Sequence, residues 1–134
     1  MNRINQLFAN KKQNILSIYF CAGHPKAGNC AEVITSLERN GIDMIEVGIP
    51  FSDPMADGPV IQSAATTSLR NGTTLSGIFS ELEGIRQSVN IPLAATDPDM
   101  NQLVKTGIGN GKIKQCSIRL TSRMAKTELI YDTE

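Results

Sequence analysis

The sequence predicts an α/β fold built on about three parallel strands. Two observations carry that reading. Short runs of β-branched and aromatic residues alternate with amphipathic stretches in the order strand, helix, strand, helices, strand. Two of the amphipathic stretches also end at Asn-Gly, where glycine can take the left-handed position that stops a helix. Such alternation gives parallel β-structure joined by right-handed helical crossovers. An open doubly wound sheet and a closed barrel share the pattern.

The elements follow in order. Ile4, Leu7 and Phe8 recur at helical spacing near the N-terminus. Ile15 to Ala22 is a short apolar strand stopped by Gly23. Asn29 stands as an N-cap with Glu32 three positions on, close to a capping box, before a helix that turns Val33, Ile34 and Leu37 inward and stops at Asn40-Gly41. Met44 to Ile49 is the second strand, followed by a proline-rich loop from Pro50 to Pro59. Pro59 suits a first helical turn, where its missing N–H costs nothing. That helix places Val60, Ile61, Ala64, Ala65 and Leu69 on one face and ends at Asn71-Gly72. Thr74 caps the next, with Leu75, Ile78, Phe79, Leu82 and Ile85 inward, and a third strand begins at Ile91-Pro92-Leu93.

Composition excludes several function classes. Thirteen basic and thirteen acidic side chains leave no net field to draw nucleic acid or an anionic membrane surface. The N-terminal residues do not resemble a signal peptide, and no apolar run approaches the roughly 18 residues that span a bilayer, so the expectation is a cytoplasmic protein. Cys21, Cys30 and Cys116 are odd in number and lack CxxC spacing, which indicates reduced thiols and neither a disulfide framework nor a metal site. His24, the single histidine, reads as a loop residue.

Glu46 carries the most chemical information. Along the second strand Ile45, Val47 and Ile49 share one face, suited to packing against helices, and Met44, Glu46 and Gly48 share the other. A carboxylate in a buried strand costs several kcal/mol unless it is paired or neutralised. An edge strand with a solvated glutamate is the bland alternative. In parallel α/β folds, ligands bind at the carboxyl ends of the strands. Asp57, in the loop directly after this strand, then gives a second carboxyl group converging on the open space beside Gly48. Two carboxylates in unlike surroundings can divide acid and base work.

The run Glu46-Val47-Gly48-Ile49-Pro50-Phe51-Ser52-Asp53-Pro54-Met55-Ala56-Asp57-Gly58-Pro59 closely resembles the signature of the tryptophan synthase alpha chain. The resemblance extends back through Asn40 to Ile45, the segment Ala22-Gly23-His24-Pro25 and the N-terminal helix, and forward through Val60-Ile61-Gln62, Leu69 to Gly72 and Ile91 to Leu93. It implies a (β/α)8 TIM barrel, of which residues 1–93 would be the N-terminal part, and the cleavage of indole-3-glycerol phosphate to indole and glyceraldehyde 3-phosphate in tryptophan biosynthesis. By resemblance Glu46 is the general acid/base, Asp57 holds the indole N–H, and Tyr19 and Ile61 line the indole pocket. Pro50, Asp53 and Pro54 lie in the loop that meets the beta chain in an alpha2-beta2 complex. The alpha chain carries no cofactor of its own; the pyridoxal phosphate belongs to the beta partner.

After Leu93 the match stops, and Ala94 to Asn101 reads as a turn. Residues 94–134 hold six basic and five acidic side chains and show no βα alternation, so a solvated, weakly ordered tail is expected. Between Lys112 and Lys126 five basic residues stand without an aromatic, unlike a nucleic-acid patch. Gly107 to Lys112 lacks the spacing of a phosphate loop. Arg119, Arg123 and Lys126 fall at the spacing of one face of a short helix, with Leu120 and Met124 on another. A (β/α)8 barrel takes about 250 residues and commonly binds phosphate after strands 7 and 8. The isolated chain is therefore expected to be catalytically silent. The alternative is a non-catalytic truncated or frameshifted product that at most touches a beta subunit.

Overall fold

The computed structural model describes residues 3–53 and 57–97, together with the backbone of 116–120 and 127–131. Helix α1 (Arg3–Asn10) precedes strand β1 (Ser17–Cys21), helix α2 (Cys30–Arg39) and strand β2 (Met44–Gly48). Helices α3 (Pro59–Arg70) and α4 (Leu75–Leu82) follow, then a 3-10 turn at Ile85–Gln87 and strands β3 (Leu93–Asp97), β4 (Cys116–Leu120) and β5 (Thr127–Tyr131). The strands form one sheet in the order β1-β2-β3-β5-β4. The first three run parallel, as expected from the alternation; β5 pairs antiparallel with both β3 and β4.

Strand alternation separates the sheet into a helix-packed face and a free face. Ile45 and Val47 are buried with Ala22, Cys30, Ile34, Ile78, Val89 and Leu93, and Phe20, Leu37, Ile42 and Ile49 pack around them. The apolar face assigned to β2 therefore lies against α2 and α4. Fully burying side chains the size of Ile34, Ile45 and Ile78 contributes about 1.5–3 kcal/mol each. Helix α2 stops where Gly41 takes φ +83° and α3 where Gly72 takes φ +79°, both in the left-handed region that glycine enters without Cβ strain. Pro59 occupies the first turn of α3, and Thr74 Oγ1 accepts from Gly77 N at 3.0 Å as the cap of α4.

Several local expectations differ. Asn29 precedes α2 but makes no side-chain cap; the Cys30 N–H is held instead by Glu81 Oε2 of α4, 2.9 Å away. On α3 the buried positions are Ala65 and Ser68, whereas Val60 is 78% exposed. The reason is polar: Ser68 Oγ donates to Ala22 O at 2.6 Å, and Asn71 Nδ2 donates to Gly23 O and Pro25 O. These bonds rotate α3 about its axis and pin it to the loop leaving β1. On α1, Ile4 is buried but Phe8 is 52% exposed; the helix is anchored by Lys11, whose Nζ meets both oxygens of Asp43 at 2.7 Å.

Where a turn is expected from Ala94, β3 continues to Asp97, and Ala94 and Ala95 are small enough to sit buried beside β2; residues 98–101 lie outside the described residues. The short helix expected around Arg119 is not formed, because residues 116–120 are extended and paired with β5. Arg123 and Lys126 lie outside the described residues, as does the segment 107–112. Antiparallel pairing with β5 covers the β3 edge, while β1 stands at one end of the sheet and β4 at the other.

Candidate active site at the carboxyl ends of the parallel strands

On the free face of the sheet the register places Tyr19 opposite Glu46 and Cys21 opposite Gly48. Ser17, two residues before Tyr19, shares that face. Glu46 is half-buried and Gly48 buried. The Tyr19 ring does not stand straight off β1 but lies across β2. A Cβ built on Gly48 would be 2.5 Å from Tyr19 Cζ and 2.7 Å from Cε2, with the hydroxyl nearer still. The space expected beside Gly48 is thus filled by the phenol of Tyr19, and glycine is the residue that admits it.

Asp57 lies half-buried in the loop after β2. The Tyr19 phenol is pushed up from its ordinary 10.0 to about 12, first by burial, then by the negative charge of Cys21, Asp57 and Glu46. Cys21 is pushed up from 9.0 to about 11, by burial first and by Asp57 second. Glu46 shares the Tyr19 face through the register of β1 on β2, and the Asp57 charge is felt by both Tyr19 and Cys21. Tyr19 thus keeps its proton across the neutral range and remains a hydrogen-bond donor.

The remaining expected site residues are less tightly gathered. Ile61 lies half-buried in the first turn of α3, the helix that Ser68 fastens to β1. Pro50 is half-buried and Asp53 exposed in the loop after β2; Pro54 lies outside the described residues. Ser17 escaped the sequence reading. Its Oγ donates to Glu46 Oε1 at 2.9 Å, a diagonal cross-strand contact that becomes visible once the register of β1 on β2 is known. A separate open groove of about 590 Å³ lies between α2 and the end of α4, lined by residues that include Glu32, Arg39, Glu81 and Glu83. It belongs to the helical layer and shares no residue with the Glu46 face.

Among the described residues there is no cluster of three or more His, Cys, Asp and Glu side chains able to hold a metal ion, and no helix long and apolar enough to cross a membrane.

Parallel strands joined by helices that pack on the sheet define part of an α/β barrel. The neighbours among solved structures agree. The tryptophan synthase of M. tuberculosis in its aminoacrylate-bound form superposes with TM-score 0.63 at 28% identity, over 71% of this chain and 40% of that one. The alpha subunit from Legionella pneumophila superposes with TM-score 0.64 at 33% identity, over 69% and 37%. Residues 5–108 match the family model of the tryptophan synthase alpha chain, and this chain belongs to that family. The tryptophan synthase alpha chain of Bacteroides thetaiotaomicron is 54% identical over 120 residues, 88% of this chain and 46% of the relative. That of Phocaeicola vulgatus is 63% identical over 93 residues, 69% of this chain and 36% of the relative. The chain thus spans less than half the length of these curated relatives. The family match also runs to residue 108, past the Leu93 at which the resemblance stopped.

Proposed function

We propose that this chain supplies the acid–base and indole-binding part of a tryptophan synthase alpha site. The reaction is the retro-aldol cleavage of indole-3-glycerol phosphate to indole and glyceraldehyde 3-phosphate. Glu46 protonates the indole carbon that bears the glycerol chain and takes up the proton of the adjacent hydroxyl as the carbon–carbon bond breaks. Protonation leaves the ring electron-poor, and Asp57 holds the ring N–H as its positive charge grows. Tyr19 and Ile61 supply the apolar wall for the indole. The loop after β2, in which Pro50 is half-buried and Asp53 exposed, is the part offered to a beta chain.

The observation that carries this reading is that the register of β1 on β2 sets Tyr19 beside Glu46 on one face, with the Tyr19 ring lying over Gly48; the raised Tyr19 phenol, which feels Asp57 as well as Glu46, supports it. The separation of Glu46 and Asp57 by strand and loop gives one rigid and one adaptable carboxylate, which suits a proton donor and a partner that follows charge.

Turnover needs more than this end of the molecule. Binding energy from a remote phosphate positions the reacting centre, and barrel phosphate sites lie in loops after strands 7 and 8, outside the five strands described. The purified 134-residue chain is therefore expected to bind indole weakly and to release none from indole-3-glycerol phosphate. Amide shifts on titrating indole into the labelled chain test the site. Shifts centred on Tyr19, Glu46, Gly48 and Ile61 are expected; shifts confined to the α2–α4 groove, or none at millimolar indole, overturn it. Indole release by the chain alone at micromolar concentration overturns the expectation of silence.

A further inference from the structure

A carboxylate that acts as acid and base presents two chemically equivalent oxygens unless something distinguishes them. Here something does. Ser17 Oγ donates to Oε1 of Glu46 at 2.9 Å, and no described residue is bonded to Oε2. Ser17 lies opposite Met44 and Tyr19 opposite Glu46, so the bond runs diagonally from a residue two positions nearer the strand amino ends. It joins two side chains on rigid, paired strands, one of them half-buried.

From this geometry we infer that Ser17 is a positioning residue. It ties down Oε1 of Glu46 and leaves Oε2 as the oxygen that gives and takes the proton. The inference rests on the acid/base role proposed for Glu46 and adds which atom performs it. A hydrogen bond to a charged acceptor is stronger than one between neutral groups, and it removes the rotation that would otherwise exchange the two oxygens. Ordering the long glutamate side chain in the free protein means that less freedom is lost when the ligand arrives. On indole itself the protonation step can run alone: a deuteron carried by Oε2 is delivered to C3, the original C3 proton returns to Oε2, and the carboxyl group exchanges that proton with heavy water. That partial reaction needs neither the phosphate nor the glycerol chain.

Two measurements on the intact chain test the inference. The first is infrared spectroscopy of protein carrying 13C-labelled glutamate, with the Glu46 bands identified by their loss in Glu46→Gln. A carboxylate bonded through one oxygen has unequal C–O bonds, which widens the gap between its two stretching bands. The gap is expected to narrow in Ser17→Ala and to be restored in Ser17→Thr. An identical gap in wild type and Ser17→Ala overturns the positioning role. The second is C3 deuterium exchange of indole in heavy water, followed by proton NMR. Wild type is expected to accelerate exchange over Glu46→Gln, Ser17→Ala to lose about tenfold of that acceleration, and Ser17→Thr to recover it. Exchange that is undiminished in Ser17→Ala but abolished in Glu46→Gln overturns the assignment of Oε2. Absence of any acceleration in wild type would instead remove the acid/base reading of Glu46, while the infrared gap still decides whether Ser17 holds it.

Discussion

Replacing Gly48 by alanine tests the packing on which the site depends. The new Cβ would fall 2.5 Å from Tyr19 Cζ and 2.7 Å from Cε2. Carbon atoms pack at about 3.5–4.0 Å, so the ring must retreat by roughly 1 Å or swing away. Tyr19 is 38% exposed, which gives it somewhere to go. An off-rotamer tilt costs roughly 0.5–1.5 kcal/mol. Gly→Ala in a strand recovers roughly 0.5–1 kcal/mol of backbone entropy. The two nearly cancel, and urea denaturation is expected to show a net change within about 1 kcal/mol. The site is affected more than the fold. Holding the phenol at about 12 rather than 10.0 corresponds to at most about 2.7 kcal/mol, and solvent screening at a partly exposed ring reduces this to roughly 1 kcal/mol. Displacing the ring moves it away from burial and from both carboxylates, so its titration should fall back toward 10.0. Tyrosinate absorbance reads this directly, because the chain has no tryptophan and two tyrosines, Tyr19 and Tyr131. A loss of more than about 3 kcal/mol would mean that the ring cannot move, since that is the scale of an overpacked core. A Tyr19 titration unchanged in Gly48→Ala would refute the placement of the ring over β2.

Further outcomes follow from the same geometry. Glu81→Ala leaves the Cys30 N–H without its acceptor and removes a negative charge from the start of α2; a loss of about 1–2 kcal/mol is expected by urea denaturation, and no loss would contradict the cap. Tyr19, Cys21 and Cys30 are raised to about 12, about 11 and about 12, so the folded chain keeps these protons longer than the unfolded one. Their stabilisation is fully present below about pH 9 and lost as pH rises through 11 to 12, which melting curves across that range should show as a falling Tm. Asp43 is held below its ordinary 3.8 by Lys11 and by the Leu16 N–H, so its contribution is present above that value and lost as pH falls below it. Lys11→Met should loosen α1, seen as faster amide exchange at Leu7 and Phe8 with the exchange of β2 unchanged.

The parts of the fold that were legible in the sequence are those set by neighbouring residues. Gly41 and Gly72 stop helices because the left-handed conformation is local, Pro59 starts one for the same reason, and Thr74 caps α4 three residues away. Period-two alternation placed Ile45 and Val47 against the helices and Glu46 on the other face. What escaped depends on contacts distant in sequence. The cap of α2 comes from Glu81, fifty-one residues on, and outcompetes the local Asn29. Val60 matches the apolar period of α3, but Ser68 and Asn71 find carbonyls beyond β1 and turn the helix until Val60 faces outward. Leu93 to Asp97 is a strand because β2 and β5 pair with it, although the sequence from Ala94 to Asn101 alone reads as a turn. For the candidate site, the face that carries Glu46 was accessible through strand alternation; Ser17 and the filled space over Gly48 required the register of β1 on β2.

The proposed site requires a strand glutamate and a loop aspartate to act on one phenol, and titrating Tyr19 in single charge-removing variants tests it most directly. Glu46→Gln and Asp57→Asn should each lower the Tyr19 value below about 12, Asp57→Asn should also lower Cys21 below about 11, and the pair of substitutions should lower Tyr19 further than either alone. A Tyr19 titration that neither substitution moves would place the two carboxylates apart and contradict the site.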